Sequence, residues 1–271
     1  MTAQSEFNLK QLLKRDLHCH TAFCGHATGA MEDYVEAALA AGLEELGFLE
    51  HVEAGIRYGR RSWLSPEDLD RYWEEGRALR AKYAGRIVVS VGIELGANPE
   101  AVDELRALAA RHPWERIGLS CHFIPDEETG LHLNISSSKD PNLARLLARD
   151  PLEIHYRYYE TLAAMIPVFR PAMVCHLDVV RRNLPDLGVH PQVRRRIRRV
   201  LEAIRETGAA LEVSTAGYAF TGSLYPAPRI LEEAVILGLP LVLNADAHDP
   251  AHVARFYDRA ECELTAILSG S

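Results

Sequence analysis

The stretch Asp16-Leu17-His18-Cys19-His20-Thr21 ends a short apolar run and carries two histidines at a spacing of two. In an extended strand, side chains at this spacing lie on the same side of the backbone, so both imidazoles face one way. Neutral imidazole is the commonest side-chain ligand of metal ions, and a third histidine, His26, follows six residues later. By itself the pair fits a polar surface loop equally well.

Apolar runs of strand length recur along the chain and alternate with longer segments of helical spacing. This alternation predicts a parallel sheet with helices outside, and a length of 271 residues suits one α/β barrel. We therefore predict a single-domain α/β fold, a distorted (β/α)7 TIM-like barrel. The predicted strands are Arg15–His18, Glu45–Leu49, Ile87–Ile93, Ile117–Ser120, Met173–His176, Ala209–Val213 and Leu239–Asn244. The predicted helices are Met31–Ala41, Pro66–Tyr83, Pro99–Ala110, Pro151–Met165, Pro191–Glu206 and Pro226–Leu237, and Thr129–Asp150 is predicted to be a long loop.

Potential ligands follow every predicted strand except the sixth. In β/α barrels the catalytic groups come from the C-terminal ends of several strands, so we expect these side chains to meet at one end of the barrel. Seven of the twelve histidines belong to this group when His26 is included, which is more than chance placement explains. The group consists of His18 and His20 after the first strand, His51, Glu94, His122 and His176 after the next four, and Asp246 and His248 after the seventh.

The composition excludes several classes of protein. A formal net charge of −8 argues against nucleic acid as a general partner. No apolar run approaches the length of a membrane span, and residues 1–10 lack the basic flank and apolar centre of a secretion signal. We therefore expect no membrane partner and a cytoplasmic location. Residues 1–271 are expected to form one domain, with residues 1–12 as an N-terminal extension.

Together these residues resemble the metal-dependent phosphoesterases of the polymerase and histidinol phosphatase (PHP) family, most closely its histidinol-phosphatase branch. The resemblance covers nearly the whole chain, and the order and spacing of its pieces are specific. It implies a seven-stranded barrel and a phosphatase that acts on a small-molecule phosphate ester, first of all L-histidinol phosphate in histidine biosynthesis. The matching pieces are Asp-x-His-x-His-Thr from Asp16, Cys24-Gly25-His26-Ala27, Glu50-His51, Gly92-Ile93-Glu94, Ser120-Cys121-His122, His176-Leu177-Asp178, Thr215-Ala216-Gly217, Tyr225-Pro226-Ala227-Pro228 and Asp246-Ala247-His248.

The resemblance also implies a cofactor of two to three divalent transition metals. Mixed imidazole and carboxylate ligands suit Zn²⁺, Mn²⁺ or Fe. Adjacent cations would lower the pKa of a bound water and neutralise the phosphate oxygens during in-line attack. By resemblance, His18, His20, Glu94 and Asp246 would hold the first metal, Glu94 would bridge to a second held with His122 and His176, and His26, His51 and His248 would hold the third. Glu94, Asp246 and His248 would be the catalytic residues.

Two aspartates lie two residues from predicted ligands. Asp16 precedes His18, and Asp178 follows His176. Each is expected either to orient an imidazole through its other nitrogen or to be a satisfied polar group near the site.

The resemblance weakens on the phosphate-binding side. The histidinol-phosphatase branch commonly has an arginine one or two residues after the Thr-Ala-Gly of the sixth strand, where this chain has Tyr218-Ala219-Phe220. Because a bidentate phosphate clamp prefers arginine, the loss must be compensated or the substrate differs. We predict Arg181 and Arg182 as the first substitutes, and Arg57, Arg60 and Arg61 as the next.

Three alternatives rank below a histidinol-phosphate phosphatase. A phosphoesterase of the same family with another small phosphate ester keeps the whole metal site. An amidohydrolase-type C–N hydrolase also opens with His-x-His, but it relies on a modified lysine on the fourth strand, and no lysine of this chain lies at a strand end. A non-catalytic, metal-stabilised binding barrel would not need an open cluster of several metals.

Overall fold

Seven strands form one parallel sheet in the computed structural model, which describes residues 9–270. Their order in the sheet follows the chain, apart from a hairpin inserted after the fourth strand. The strands are β1 (Arg15–Cys19), β2 (Glu45–Val52), β3 (Val88–Gly96), β4 (Arg116–Ser120), the hairpin strands β5 (Phe123–Asp126) and β6 (Leu131–Asn134), then β7 (Met173–Val174), β8 (Ala210–Ser214) and β9 (Leu241–Asn244).

The sheet curls until its first and last strands meet, so the barrel is nearly closed. The contact is a parallel bridge between Cys19 and Ala247. Its hydrogen bonds run from the His20 N–H to the Ala247 carbonyl (2.8 Å) and from the Ala247 N–H to the His18 carbonyl (3.1 Å). The predicted seven-stranded α/β barrel is confirmed, and the closure brings the residues that follow β1 and β9 side by side.

Helices cover the outside of the barrel, with ends set by the expected capping residues. The Ser65 hydroxyl accepts a hydrogen bond from the Asp68 N–H (3.1 Å), with Pro66 at the first helical position. Gly208 ends another helix in the left-handed conformation, with φ of 75°. The helices are Met31–Ala40, Pro66–Lys82, Val102–Ala109, Asn142–Leu147, Pro151–Phe169, Pro191–Thr207, Gly217–Phe220, Pro228–Ile236 and Tyr257–Ser269.

The segment Thr129–Asp150 is not the long loop that the sequence predicts. It contains strand β6 and the helix Asn142–Leu147, of four and six residues, which are too short for a clear hydrophobic period. The buried Asn142 side chain ties them together, because it accepts from the Asn134 N–H (2.9 Å) and donates to the Asn134 carbonyl (2.8 Å). The C-terminal helix Tyr257–Ser269 is a further element that the prediction lacks.

The apolar core has two parts. The larger part lies between strands and helices, and a small group of Leu49, Met173 and Cys175 packs separately from it. Residues 9–12 of the predicted N-terminal extension are helical and place Leu9 in the larger core, while residues 1–8 lie outside the described residues. Among residues 9–270, no helix is both long and apolar enough to cross a membrane.

Candidate metal centre

The strand ends bring the predicted ligands together at one end of the barrel. His51 on β2 lies in register with Glu94 on β3, and the bridge between β1 and β9 brings His20 beside Asp246. His122 and His176 are far apart in sequence but follow neighbouring strands, β4 and β7. Four overlapping groups have ligand atoms within 4.8 Å of one another: His18–His20–Asp246, His18–Glu94–His176, His51–Glu94–His122 and His20–His51–His248.

Glu94 lies at the centre of the cluster, and its two carboxylate oxygens face different imidazoles. Oε2 lies 2.7 Å from His51 Nδ1, 3.5 Å from His18 Nε2 and 3.7 Å from His20 Nε2. Oε1 lies 2.9 Å from His176 Nε2 and 3.5 Å from His122 Nε2. A carboxylate with two oxygens directed to two sets of ligands has the geometry expected of a group that bridges two cations.

Asp246 joins the two histidines of the opening motif to the last strand. Its Oδ1 lies 3.3 Å from His20 Nε2, 3.7 Å from His18 Nε2 and 3.5 Å from His248 Nδ1. Asp246 has φ of 51°, a strained conformation for a residue other than glycine. The fold thus holds this carboxylate in an unfavourable backbone conformation that aims it at the cluster.

His26 completes the set from the loop after β1. Its ring centroid lies 5.1 Å from that of His51 and 4.9 Å from that of His248. Unlike the other ligand candidates, His26 is exposed, so it lies at the solvent side of the cluster. The structure therefore places all nine predicted ligands in one contiguous group.

Several atoms that face each other in this cluster have no hydrogen-bond partner within residues 9–270. Both Glu94 oxygens, Asp246 Oδ1 and His51 Nδ1 are buried, and none has a hydrogen-bond partner within residues 9–270. Buried polar atoms are costly when they are unpaired, and a metal ion satisfies several facing lone pairs at once. Imidazole nitrogens with carboxylate oxygens are a donor set typical of divalent transition metals. The residues present fit a metal site.

Burial and electrostatics favour the metal-binding protonation state in part of the cluster, whereas Glu212 raises the pKa of His18, and Glu94 raises that of His122 to about 9, although burial opposes both shifts. Burial opposes the charge of Glu94, but the surrounding imidazoles, His122 first, hold the pKa of this carboxyl well below its usual value. Burial lowers the pKa of His20 and of His51 well below the usual value. Ionised carboxylate and neutral imidazole are the forms that offer free lone pairs to a cation.

Glu212 on β8 is a site residue that the sequence prediction missed. Its Oε1 accepts from His18 Nδ1 (2.6 Å) and from Asn244 Nδ2 (2.7 Å), and its Oε2 accepts from the His176 backbone N–H (2.7 Å). A carboxylate on Nδ1 fixes the tautomer of His18 and directs Nε2 into the cluster. The signal that could have revealed it is a fully buried charge in an apolar strand, Ala210–Ser214.

Two further glutamates, one on β2 and one just after it, hold residues of the cluster in place. Glu53 Oε1 lies 2.9 Å from His122 Nδ1, and Glu50 Oε1 accepts from both the backbone N–H and the hydroxyl of Thr21 at 2.6 Å. A Cβ at Gly96 would overlap the Glu53 carboxylate, so this position needs glycine. The buried carboxylates thus hold both His122 and the turn that follows His20.

Asp16 and Asp178 bind backbone groups instead of orienting imidazoles. Asp16 accepts from the backbone N–H of Ala245 (3.1 Å) and of Ala254 (3.0 Å). Asp178 accepts from the Ala227 N–H (2.9 Å) and from Arg181. Asp16 thus has the second expected role, that of a satisfied polar group near the site, whereas Asp178 orients no imidazole and leaves its Oδ1 buried without a hydrogen-bond partner in residues 9–270.

The predicted substrate-binding arginines have different surroundings. Arg181 is engaged by Asp178 (2.5 Å), the Leu224 carbonyl (2.8 Å) and Ser223, and Arg57 donates to the Gly130 carbonyl (2.6 Å). Arg60 donates to the Gly25 carbonyl (3.3 Å), beside His26. In Arg182, by contrast, Nε is buried without a partner in residues 9–270. Arg182 is therefore the member of this group with the clearest unused donor.

Comparison with known proteins agrees with this geometry. The model of the PHP domain matches residues 16–216, which run from β1 to just past β8. The chain belongs to the PHP family. A probable histidinol-phosphatase of Deinococcus radiodurans is 30% identical over 253 residues, with 90% of each chain covered. The histidinol-phosphatase of Bacillus subtilis is 28% identical over 260 residues, covering 90% of this chain and 97% of the relative.

Solved structures show the same barrel. A putative histidinol phosphatase from Listeria monocytogenes superposes with a TM-score of 0.82 at 21% identity, covering 91% of this chain and 99% of that one. The histidinol phosphate phosphatase of Lactococcus lactis, complexed with zinc, L-histidinol and phosphate, gives a TM-score of 0.77 at 21% identity, with 94% and 93% covered. This PHP chain is a metal-dependent phosphatase.

Replacing Glu212 with glutamine should weaken the site without unfolding the PHP barrel. The amide nitrogen cannot accept a hydrogen bond, so either the contact to His176 or both contacts to His18 and Asn244 are lost. Loss of such a supporting carboxylate typically costs about 10- to 100-fold in metal affinity or activity. Metal content and turnover of Glu212→Gln should fall together. The control is Glu206→Gln, a change of an exposed residue on the helix Pro191–Thr207, which should match the wild type in both measurements. Unchanged metal affinity in Glu212→Gln would remove this role.

Proposed function

We propose that this phosphatase hydrolyses the phosphate monoester of a small alcohol, and that its substrate is L-histidinol phosphate, which yields L-histidinol and phosphate. The observation that carries the proposal is the buried cluster centred on Glu94. It has a histidine, glutamate or aspartate at every ligand position that the family resemblance implies. Histidinol-phosphatase relatives that align over about nine-tenths of the chain support the substrate. The complex of the Lactococcus lactis protein with L-histidinol and phosphate supports it further.

The nine clustered residues would hold two to three divalent ions, Zn²⁺, Mn²⁺ or Fe. When bound, adjacent cations lower the pKa of a water and neutralise phosphate oxygens, which supplies the charge stabilisation of the reaction. Following the implied sets, His18, His20, Glu94 and Asp246 would hold the first ion, Glu94, His122 and His176 the second, and His26, His51 and His248 the third. The contacts of Glu94 with five imidazoles support its assignment as the bridging ligand.

The remaining roles belong to the protein itself. Glu94 keeps its negative charge among the imidazoles, and Asp246 and His248 lie together at the end of β9, where a leaving group would be met. Glu212 and Glu53 hold the rings of His18 and His122 in place. Arg182 offers an unused donor for a phosphate oxygen. We propose that residues 1–271 form a single PHP-type domain that carries all of these groups.

The substrate assignment predicts a strong preference for L-histidinol phosphate over p-nitrophenyl phosphate. An enzyme for L-histidinol phosphate binds the imidazole and amino groups of this ester and uses their binding energy in the transition state. Because p-nitrophenyl phosphate lacks both groups, its kcat/KM should be lower by on the order of 10²-fold or more. The measurement is kcat/KM for both esters with the enzyme loaded with Mn²⁺ or Zn²⁺. Equal or slower hydrolysis of L-histidinol phosphate would refute the substrate assignment, although the phosphatase activity itself would still hold.

A further inference from the structure

The segment that replaces the family's sixth-strand arginine lies under two other arginines. Phe220 of Tyr218-Ala219-Phe220 supports Arg182, whose Cζ lies 3.5 Å from the ring centroid. Tyr218 packs edge-on against Phe256 at 5.7 Å between centroids, and Arg255 Cζ lies 5.1 Å from the Phe256 centroid. Phe220 therefore supports Arg182 directly, whereas Tyr218 lies under Arg259, whose Cζ is 3.9 Å from its ring centroid, and is linked to Arg255 through Phe256.

Arg255 resembles Arg182 in having an unused donor. The Nε atoms of both arginines are buried, and neither Nε has a hydrogen-bond partner within residues 9–270. Burial lowers the pKa of both guanidinium groups. Two guanidinium groups with an unpartnered Nε, both beside the segment that contains Tyr218 and Phe220, form a site for an anionic ligand.

The backbone around Arg255 is held in a strained conformation by buried polar side chains. Ala254 and Phe256, on either side, have φ of 53° and 65°, which is uncommon for residues other than glycine. The Thr215 hydroxyl donates to the Arg255 carbonyl (2.7 Å), and Asp16 accepts from the Ala254 N–H (3.0 Å). Because strained residues persist only where their surroundings fix them, the direction of the Arg255 side chain is set by the end of β8 and by the start of β1.

We propose that Arg255 and Arg182 together bind the phosphate group of the substrate and replace the missing sixth-strand arginine. Both guanidinium groups would donate to phosphate oxygens next to Asp246, with Phe220 and Phe256 as the surfaces against which they lie. The class of ligand is a phosphate monoester dianion or inorganic phosphate. The inference rests on the proposed phosphomonoesterase function and adds to it a residue, Arg255, outside every motif that the sequence offered.

The test measures phosphate binding separately from turnover. In the metal-loaded enzyme, Arg255→Met should weaken the binding of inorganic phosphate, measured by calorimetry, and raise KM for L-histidinol phosphate, each by about 10- to 100-fold. Arg255→Lys should be intermediate, since lysine keeps the charge but loses the fork of donors. Metal content and unfolding temperature should stay at wild-type values. The matched control is Arg196→Met, because Arg196 also stacks on an aromatic ring, Tyr156 at 3.8 Å, on a helix remote from the cluster.

Two results would overturn the role of Arg255. One is wild-type phosphate affinity in Arg255→Met. The other is a loss of phosphate affinity in Arg255→Met that comes with lost metal or a lower unfolding temperature, when Arg196→Met shows neither of these two changes. A failure of the proposed function would look different, since the wild-type enzyme would then turn over no phosphomonoester. Phosphate calorimetry would still report on the two arginines in that case.

Discussion

The Glu94→Gln variant is expected to lose phosphatase activity by about 10³-fold or more in kcat, while it stays folded. One Glu94 oxygen faces three imidazoles and the other faces two, and no other carboxylate reaches both sides of the described cluster in this way. Glutamine keeps the volume and one oxygen but loses the charge that holds two cations together. A loss of about 4 kcal/mol of transition-state stabilisation, reasonable for a disrupted multi-metal site, corresponds to this factor.

Glu104→Gln is the matched control for this substitution. Glu104 is exposed on the helix Val102–Ala109, which follows the same strand β3, so it tests the chemical change without touching the cluster. Its kcat and metal content should equal those of the wild type. Turnover at the wild-type rate in Glu94→Gln would refute the bridging role.

Removal of the metals is expected to abolish turnover to a similar extent, and re-addition is expected to restore it. Charge stabilisation of the phosphate is assigned to the cations, and no serine, cysteine or histidine of the cluster is assigned as a nucleophile. The fold should survive chelation because the core between strands and helices is extensive and the barrel is closed by backbone hydrogen bonds. Circular dichroism of the chelated enzyme should therefore match that of the loaded enzyme although the rate has collapsed.

Most of the barrel and all nine clustered residues could be predicted from sequence because two signals coincide. The strands are apolar runs bounded by helices, and the ligands follow them directly, as Glu94 follows the run that begins at Ile87. In a parallel barrel the strand direction alone brings such positions to one end. The strand β6 and the helix Asn142–Leu147 were not predicted because each is too short to show a hydrophobic period. They are held together by the buried Asn142 side chain, a contact that the sequence does not reveal.

The supporting residues could not be predicted, for a different physical reason. Glu212 sits within a strand, and whether its side chain faces the barrel interior or the helices depends on the register between β8 and β9. Arg255 lies in an irregular segment after β9, and its direction depends on two strained backbone residues, Ala254 and Phe256. A charged residue within the apolar strand Ala210–Ser214 is the one sequence signal of Glu212, whereas Arg255 leaves no periodic or motif signal. Arg181 is the opposite case, a residue that the sequence did single out. Its position shortly after His176 predicts phosphate binding, but its donors are engaged by Asp178 and by the Leu224 carbonyl.

Elemental analysis and turnover, measured on the same samples during stepwise reloading of the chelated enzyme, test the metal centre most directly. We predict that hydrolysis of L-histidinol phosphate rises only with bound transition metal and reaches its maximum above one ion per chain, and that Glu94→Gln never reaches it. A folded, metal-free enzyme that hydrolyses the ester at the full rate would contradict the account.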